Sequence, residues 1–417
     1  MAERTTFVFM HLAGGPVPAG RLRMIEDGRN SYAAFAYGAR YRERPDAVPI
    51  DPEMLPLDGT TGEVLTDEGF ELFNGIRDAA PDGWGRALMQ RAAGAKTLGE
   101  YDFLVASGEH RVGALAFGPT AEKPERIAPW GSEQEYDGDE AIDLAALTEA
   151  AAQVKDIDRL DPRYRRLLAA GSSLGGARPK AATIHDGEPW IAKFSAANDR
   201  YDVPRAEYAA MTLATKCGLN VPPVDFITVL DRPIYLIKRF DRLEAGKRRL
   251  PFASALTLLR ALEIAAGDYS YAEVAAAFRK HGSAPIEDLT ELYRRMVFNI
   301  LVGNSDDHLR NHGAVHDGRE WRLSPLYDVV PLPQLGTERF LVLGIGEEGK
   351  RATLSNAASA HGAFGLDRAA AVALIRDLAG QVGAQWETTL KASGLSADDR
   401  ERLQGCFAAC AEPTDGL

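Results

Sequence analysis

The chain has 417 residues, of which 45% are hydrophobic and 26% are charged, the proportions of an ordinary globular protein. This length predicts two or three domains or subdomains with ample core. The net charge of −12 argues against direct binding of nucleic acid, because such binding depends on positive side chains that neutralise phosphates. Contact with DNA would therefore need a local basic patch or a basic partner.

The N-terminus and the cysteines favour a cytoplasmic protein. No run of 18 apolar residues exists, so neither a transmembrane helix nor a membrane location is expected. The first residues, Met1 to Phe7, lack a signal-peptide pattern. Cys217, Cys406 and Cys410 lack metal-site spacing. The last two would share one helix face, but all three are more typical of buried thiols.

Residues 1–120 are predicted to form a mostly β unit that also contains helical segments. Helices are predicted to begin near Phe70 and to resume near Leu88, on either side of a turn at 78–86. That turn has no evident chemistry, and we interpret it as structural, with Trp84 as a packing anchor. The predicted strands are 6–10, 33–37 and part of 109–117.

Residues 121–142 are predicted to be a linker, because prolines and a glycine interrupt regular structure there and acidic residues keep the segment solvated. A helix over Asp143–Val154 is predicted next, since acidic residues suit a helix N-terminus. Beyond the linker we expect a nucleotide-binding unit at 143–244 and a helical unit at 245–417.

A stretch of small residues, 171–180, could bring backbone N–H groups close to phosphate oxygens, with Arg178 and Lys180 supplying positive charge. It matches neither the Walker A pattern nor the dinucleotide-binding glycine pattern, so a plain flexible turn is an alternative. The predicted phosphate-contacting residues are Gly175, Gly176, Ala177, Arg178 and Lys180.

Two short strands follow this loop and are joined by an Asp-Gly turn, which is a strong hairpin signal. Lys193, in the second strand, either faces solvent or points at a bound phosphate, as a strand lysine does in kinases. Glu207, on the next helix, either pairs with Lys193 or is a solvated helix residue. A strand that ends at Lys238, Arg239 and Phe240 then enters the helical region, where an adenine would meet backbone groups.

Periodicity and propensity predict the remaining regular elements. The predicted strands are 180–184, 189–194, 224–229, 233–240, 314–316, 320–323 and 339–343. The predicted helices are 205–216, 253–266, 271–281, 286–301, 366–382, 386–393 and 398–410.

The stretch from Asn304 to Asp328 carries the strongest chemical signal. Asp306 and Asn311 are five residues apart, as in the Asp-x4-Asn catalytic loop of kinases. A second Asp-Gly hairpin returns the chain, so Asp328 should lie near Asn311. The oxygens of Asn311 and Asp328 suit Mg²⁺ carried by a nucleotide, and Asp306 could accept the proton of an attacking hydroxyl.

Two other interpretations of this stretch compete. Aspartate and asparagine are common loop and capping residues, so each alone could be structural. A metallohydrolase could use His308 and His312, which are four residues apart, but Gly303, Asn304 and Gly313 argue against the rigid helix that such a ligand pair needs.

Taken in order, the motifs resemble those of the HipA-type serine/threonine kinases, toxins of type II toxin–antitoxin modules. The resemblance covers most of the chain and is carried by several short segments in the family's order. These are Pro-Asp-Gly-Trp-Gly at 81–85, Ser-Leu-Gly-Gly-Ala-Arg-Pro-Lys at 173–180, Arg-Phe-Asp-Arg at 239–242, Asp-Asp-His-Leu-Arg-Asn at 306–311 and Ser-Pro-Leu-Tyr-Asp at 324–328.

The resemblance implies an α+β, two-lobed, protein-kinase-like fold with a family-specific N-terminal subdomain. It implies that Asp306 is catalytic, that Asn311 and Asp328 hold Mg²⁺, and that Ser173, or the adjacent Ser172, is an inhibitory autophosphorylation site. The residues expected to contact ATP are Gly175, Gly176, Ala177, Arg178, Lys180, Lys193, Lys238, Arg239, Phe240, His308, Asn311, Tyr327 and Asp328.

The family's reaction is ATP-dependent phosphorylation of a protein serine, with aminoacyl-tRNA synthetases among the targets. The expected partner is a small helix-turn-helix antitoxin that supplies most of the DNA binding. The chain departs from many relatives at 249–256, where polar residues are usual, and at Lys238, where some have an acid. Alternatives are a kinase-like module that binds nucleotide or antitoxin without phosphoryl transfer, and a small-molecule kinase.

Overall fold

The structure is a computed structural model that describes residues 2–27, 30–59, 62–127, 144–152, 161, 164, 167, 171–336, 338–415 and 417. Most of the predicted linker, residues 128–142, lies outside this part of the chain, as do residues 143, 153 and 154 of the predicted helix. Within these ranges, every helix is too short or too polar to cross a lipid bilayer.

The N-terminal unit is built on a five-stranded antiparallel sheet with strand order β4-β3-β2-β1-β5. The three predicted strand positions are confirmed, but β2 was missed, although its polar residues, such as Arg21 and Arg23, alternate with buried apolar ones as in a strand with one solvated face. The strands are β1 Ala2–Leu12, β2 Gly15–Asp27, β3 Asn30–Tyr37, β4 Val64–Leu65 and β5 Leu115–Gly118.

Short helices cover one side of this unit and lead towards the centre of the molecule. Two of them flank a turn at 78–82; the predicted turn at 78–86 is too long, because the second of these helices already begins at Gly83. The described part of the helix predicted after the linker is helical. The helices are α1 Ala39–Arg42, α2 Asn74–Arg77, α3 Gly83–Ala93, α4 Glu100–Ala106 and α5 Leu144–Ala152.

A second antiparallel sheet, of order β6-β7-β9-β8, packs against α6 through β8 and β9, and α5 contacts its β6 and β8. The predicted hairpin is confirmed, since Asp186 and Gly187 both have positive φ as a two-residue turn requires. Asp202 caps α6 by accepting a hydrogen bond from the Arg205 amide. The elements are β6 Lys180–His185, β7 Glu188–Phe194, α6 Val203–Lys216, β8 Val224–Val229 and β9 Arg232–Lys238.

The remaining residues form a helical unit with two small sheets, β10-β11 and β12-β13-β14. The strands are β10 Arg242–Leu243, β11 Arg248–Arg249, β12 Phe252–Ser254, β13 Gly313–His316 and β14 Trp321–Leu323. The helices are α7 Ala255–Leu258, α8 Tyr271–His281, α9 Pro285–Val302, α10 Leu354–Ser359, α11 Arg368–Ala392 and α12 Ala397–Leu403.

Three predictions in this unit are wrong. The helix at 253–266 is instead β12, the single turn α7 and a 3-10 segment at Glu263–Asp268, because β12 pairs with β13. The strand at 339–343 is reduced to one bridge between Phe340 and Arg351. The two helices predicted at 366–382 and 386–393 form one helix, since Gly383 to Gln385 continue α11 without a break.

The chain turns sharply where α9 ends and the stretch from Asn304 begins. Gly303 has a φ of 65°, the left-handed conformation that closes many helices, and its N–H bonds to the Asn299 carbonyl. A Cβ here would lie 2.9 Å from the Cys406 carbonyl oxygen. Cys217 and Cys406 are buried, and Cys410 is partly buried.

Replacing Gly303 with Ala is therefore expected to lower stability by about 1–3 kcal/mol, through the left-handed backbone and the clash with Cys406. Gly380→Ala is the matched control, because Gly380 lies in α11 with no atom within 4 Å of a built Cβ. Alanine there should raise stability by about 0.4–1 kcal/mol. Denaturant unfolding would measure both, and an equal effect of the two substitutions would contradict this account.

Candidate active site

A cleft of about 760 Å³ lies where the second sheet, the helical unit and the N-terminal unit meet. Its lining includes Asp306 and every residue that the sequence predicted to contact ATP. Segments more than 150 residues apart in sequence are therefore brought to one place. Ser172 and Ser173 are not part of the lining. The cleft also contains residues of the N-terminal unit that the sequence analysis did not single out: Arg77, Asp78, Asp82, Gly83 and Arg86.

Lys193 is the centre of charge in the cleft. Its Nζ atom lies 2.5 Å from Glu207 Oε1 and 2.7 Å from Asp328 Oδ1. Lys193 is only 9% exposed and Glu207 only 2%, so neither faces solvent. Strand β7, helix α6 and the end of the stretch at Asp328 are thereby joined through one ammonium group.

The ion pairs favour the charged forms of Lys193 and Asp328, whereas burial raises the pKa of Glu207 although Lys193 opposes it. The Lys193 ammonium holds the pKa of Asp328 well below its usual range, even though burial opposes this. Burial favours the neutral amine, but the carboxylates of Asp328 and Glu207 raise the pKa of Lys193 above its ordinary value. Both groups therefore remain charged throughout the physiological pH range.

Lys180 is the cation of the cleft that is left available for a ligand. Its side chain is buried, and it has no ion pair with any residue that the structure describes. Burial, followed by repulsion from Lys193, lowers its pKa. By contrast, Arg178 pairs with Asp199, and Arg239 pairs with Asp241 at 2.7 Å. A bound anion would relieve the unpaired charge of Lys180.

Asp306 is exposed in the cleft, and its carboxylate accepts no hydrogen bond from the described residues. Partial burial, with the charges of Asp328 and Asp307, raises its pKa, although His308 acts in the opposite direction. The Asn311 side-chain N–H group donates to the Asp306 carbonyl oxygen at 3.1 Å. A free carboxylate with a raised pKa suits a general base.

The neighbouring Asp307 has the opposite role and fixes the loop. It is buried, and its carboxylate accepts from Asn299 at 2.9 Å, from His312 at 2.8 Å and from the Tyr271 hydroxyl. His312 is thus engaged away from the cleft. Among the described residues no three His, Cys, Asp or Glu side chains cluster in a way that could hold a metal ion by themselves.

Asn311 and Asp328 leave oxygen atoms available for a cation. The Asn311 amide uses its N–H group towards Asp306, so its Oδ1 is left, and the Asp328 side chain is 38% exposed although one oxygen bonds Lys193. Mg²⁺ takes one or two protein oxygens and completes its shell with phosphates and water. Asp328 has a φ of 63°, a strained conformation of the kind found at functional sites.

One end of the cleft is lined by the aromatic rings of Phe240, Phe252 and Tyr327. The Phe240 ring stacks on Tyr327 at 5.5 Å, and Phe252 lies 6.3 Å from Phe240. The Phe240 backbone N–H forms no hydrogen bond with the described residues, and so it is free to meet a planar base. Phe252, in the segment that departs from the family pattern, packs on Gly313, where a Cβ would lie 2.3 Å from its ring.

The chain resembles proteins of one family over nearly its whole length. Residues 172–386, just over half of the chain, match the HipA-like C-terminal domain, and residues 12–118 match the HipA N-terminal domain. Two Sinorhizobium fredii proteins named "Putative kinase Y4mE" and "Putative kinase Y4dM" are 25% and 26% identical. The alignments cover 78% and 86% of this chain, and 78% and 85% of those proteins.

A solved structure shares the fold. It is HipA of Shewanella oneidensis MR-1, from a complex with HipB and operator DNA, with a TM-score of 0.71 at 18% identity. The match covers 97% of this chain and 96% of that one. The predicted α+β, kinase-like fold is thereby confirmed.

Replacing Lys193 with Met is expected to destabilise the protein by about 3 kcal/mol, because both Asp328 and Glu207, whose pKa burial already raises, would lose the cation that holds them. The loss should shrink as pH falls. The lowered pKa of Asp328 contributes stability above its unfolded pKa, and that contribution is lost on acidification. Denaturant unfolding at several pH values, without nucleotide, would measure it.

The control is the double variant Lys193→Met, Glu207→Gln. It removes the orphaned charge and should recover part of the stability that the single variant loses. A double variant no more stable than the single one would contradict the proposed electrostatic cause.

Proposed function

We propose that this chain, which belongs to the HipA-like kinase family, is an ATP- and Mg²⁺-dependent kinase that phosphorylates a serine or threonine of another protein. The observation that carries the proposal is the free carboxylate of Asp306 in a cleft whose Lys193, Asn311 and Asp328 are already held in place. A kinase supplies little covalent chemistry of its own, so positioning and charge are what its residues must provide.

In the proposed reaction, Asp306 accepts the proton of the acceptor hydroxyl as its oxygen attacks the γ-phosphorus. The bond between that phosphorus and the bridging oxygen breaks, and ADP leaves. The ammonium of Lys180 faces the phosphates and stabilises the charge that develops on them. Lys193 holds Asp328 and remains within reach of the same phosphates.

Mg²⁺ fits the two oxygen ligands left by Asn311 and Asp328, and it would neutralise charge on the ATP phosphates. The adenine is proposed to lie at the aromatic end of the cleft, against the free backbone N–H of Phe240. Arg239 would contribute only backbone there, because its guanidinium bonds the carbonyls of His110 and Arg111. Tyr327 and His308 complete the lining.

We further propose that the protein is a toxin whose partner is a helix-turn-helix antitoxin like the HipB of the Shewanella complex. With a net charge of −12, this chain would reach DNA through that partner. The protein substrate is proposed to be a translation enzyme such as an aminoacyl-tRNA synthetase.

Autophosphorylation at Ser173, or at Ser172, is proposed to switch the kinase off. A phosphoserine carries about −1.5 to −2 charges and would repel the ATP phosphates from this loop. Ser172 and Ser173 are 0% and 2% exposed, and their hydroxyls form no hydrogen bond with any residue that the structure describes. The loop must therefore move outwards before either hydroxyl can react.

Asp306→Ala is expected to lower phosphate transfer by about 10²–10⁴-fold, the usual contribution of a general base, with ATP binding largely intact. Peptide mass spectrometry after incubation with ATP and Mg²⁺ would measure it. The control is Asp317→Asn, in the exposed turn of the hairpin, which should keep wild-type transfer. Equal transfer in Asp306→Ala and wild type would remove Asp306 from its role, whereas ATP binding without transfer in any form would favour a binding module.

Lys180→Met is expected to weaken ATP binding about 10- to 100-fold, since a hydrogen bond to a charged group contributes about 1.5–3 kcal/mol. Titration calorimetry with ATP and Mg²⁺ would measure the affinity. Lys247→Met removes an exposed lysine outside the cleft and is the matched control. Equal affinities in the two variants would contradict the assignment of Lys180.

A further inference from the structure

We propose that the segment 81–85, in the N-terminal unit, holds the phosphate loop at 172–180, with Asp82 as its positioning residue. This segment, called the turn below, comprises Pro81, Asp82 and the first three residues of α3. This inference deepens the proposed function, on which it rests. The turn belongs to the segment for which the sequence suggested only a packing role.

The turn contacts the loop at its beginning, its middle and its end. At the beginning, Gly85 lies so close that a Cβ would be 2.5 Å from the Ser172 carbonyl oxygen. In the middle, the backbone N–H of Trp84 donates to the Gly176 carbonyl at 3.0 Å, and the backbone N–H of Gly176 donates to Asp82 Oδ2 at 3.3 Å. At the end, the Trp84 indole N–H donates to the Lys180 carbonyl at 3.0 Å.

The carboxylate of Asp82 is itself held by cations. Arg77 Nη1 lies 3.3 Å from Asp82 Oδ1, and Arg77 also approaches Glu100 at 3.5 Å. Although burial opposes it, the charges of Arg310 and Arg77 lower the pKa of Asp82, so it remains an acceptor. Arg310 belongs to the stretch that contains Asp306 and Asn311.

The same segment is also anchored on the opposite wall of the cleft. The buried Asp78 carboxylate accepts from the Ser254 N–H at 2.7 Å and the Thr257 hydroxyl at 2.6 Å, and Arg310 lies 3.4 Å away. The segment from Arg77 to Gly85 thus spans the cleft from the phosphate loop to the catalytic stretch. A loop tied at three places keeps its backbone and Lys180 oriented before nucleotide arrives, which lowers the ordering cost of binding.

The test is hydrogen–deuterium exchange of the nucleotide-free full-length chain, read in peptides that cover 172–180. Asp82→Ala should speed exchange there about two- to tenfold, as expected for the loss of one modest hydrogen bond. Trp84→Phe keeps an aromatic ring but removes the indole N–H, and should act in the same direction. Glu100→Gln is the matched control, because it removes the carboxylate that pairs with Arg86 at 2.5 Å and approaches Arg77 at 3.5 Å, while every hydrogen bond to the loop stays in place.

Faster exchange confined to 172–180 in Asp82→Ala and Trp84→Phe, with Glu100→Gln like wild type, would support the proposal. Exchange in 172–180 that stays at the wild-type rate in both variants would overturn it. So would an equal increase in helix α6, since that would report general loosening.

ATP titration separates this proposal from the function on which it rests. If the chain binds ATP, Asp82→Ala should weaken that binding while Glu100→Gln does not. If wild type binds no ATP, the proposed function fails, yet the exchange rates still decide whether the turn holds the loop.

Discussion

The ammonium group of Lys193 sets the architecture of the cleft, because two buried or half-buried carboxylates converge on it. Lys193 supplies the charge that faces the buried Glu207, and it binds one oxygen of Asp328, whose backbone is strained. If Asp328, at the end of the 304–328 stretch, moved away from strand β7 and helix α6, a charge would be left unpaired. This one contact therefore makes the two walls of the cleft depend on each other.

With those carboxylates satisfied, the unused groups of the cleft define its chemistry. Lys180 is a cation without a carboxylate, and Asp306 is a carboxylate without a donor. An anionic ligand would complement Lys180, and Asp306 would remain free to accept a proton from a second ligand group. Saturated groups such as Asp307, Asp241 and Arg239 instead keep the loops rigid around the unsatisfied pair.

The features predicted best from the sequence are those that depend on a few adjacent residues, such as turns. An Asp-Gly pair predicted each of the two hairpins. The second hairpin brings Asn311 and Asp328 into one cleft, where Asp328 pairs with Lys193. The spacing from Asn311 singled out Asp306, but the structural role of Asp307 was not predicted, because it depends on the buried donors Asn299, His312 and Tyr271. The helix predicted at 253–266 failed since pairing with β13 outweighed propensity there. The role of Asp82 depends on contacts 94 residues away in sequence, which local patterns do not encode.

The burial of Ser172 and Ser173 has a kinetic consequence for the proposed switch. A hydroxyl that is enclosed by protein reacts only in the small fraction of molecules whose loop has opened. The rate of inactivation would therefore equal the equilibrium constant for opening of the loop multiplied by the phosphorylation rate of the exposed serine. Nucleotide that draws the loop inwards would reduce that fraction. On the proposed function, an enzyme occupied by its substrate would be protected from its own inactivation, and the lifetime of activity would be set by a conformational equilibrium.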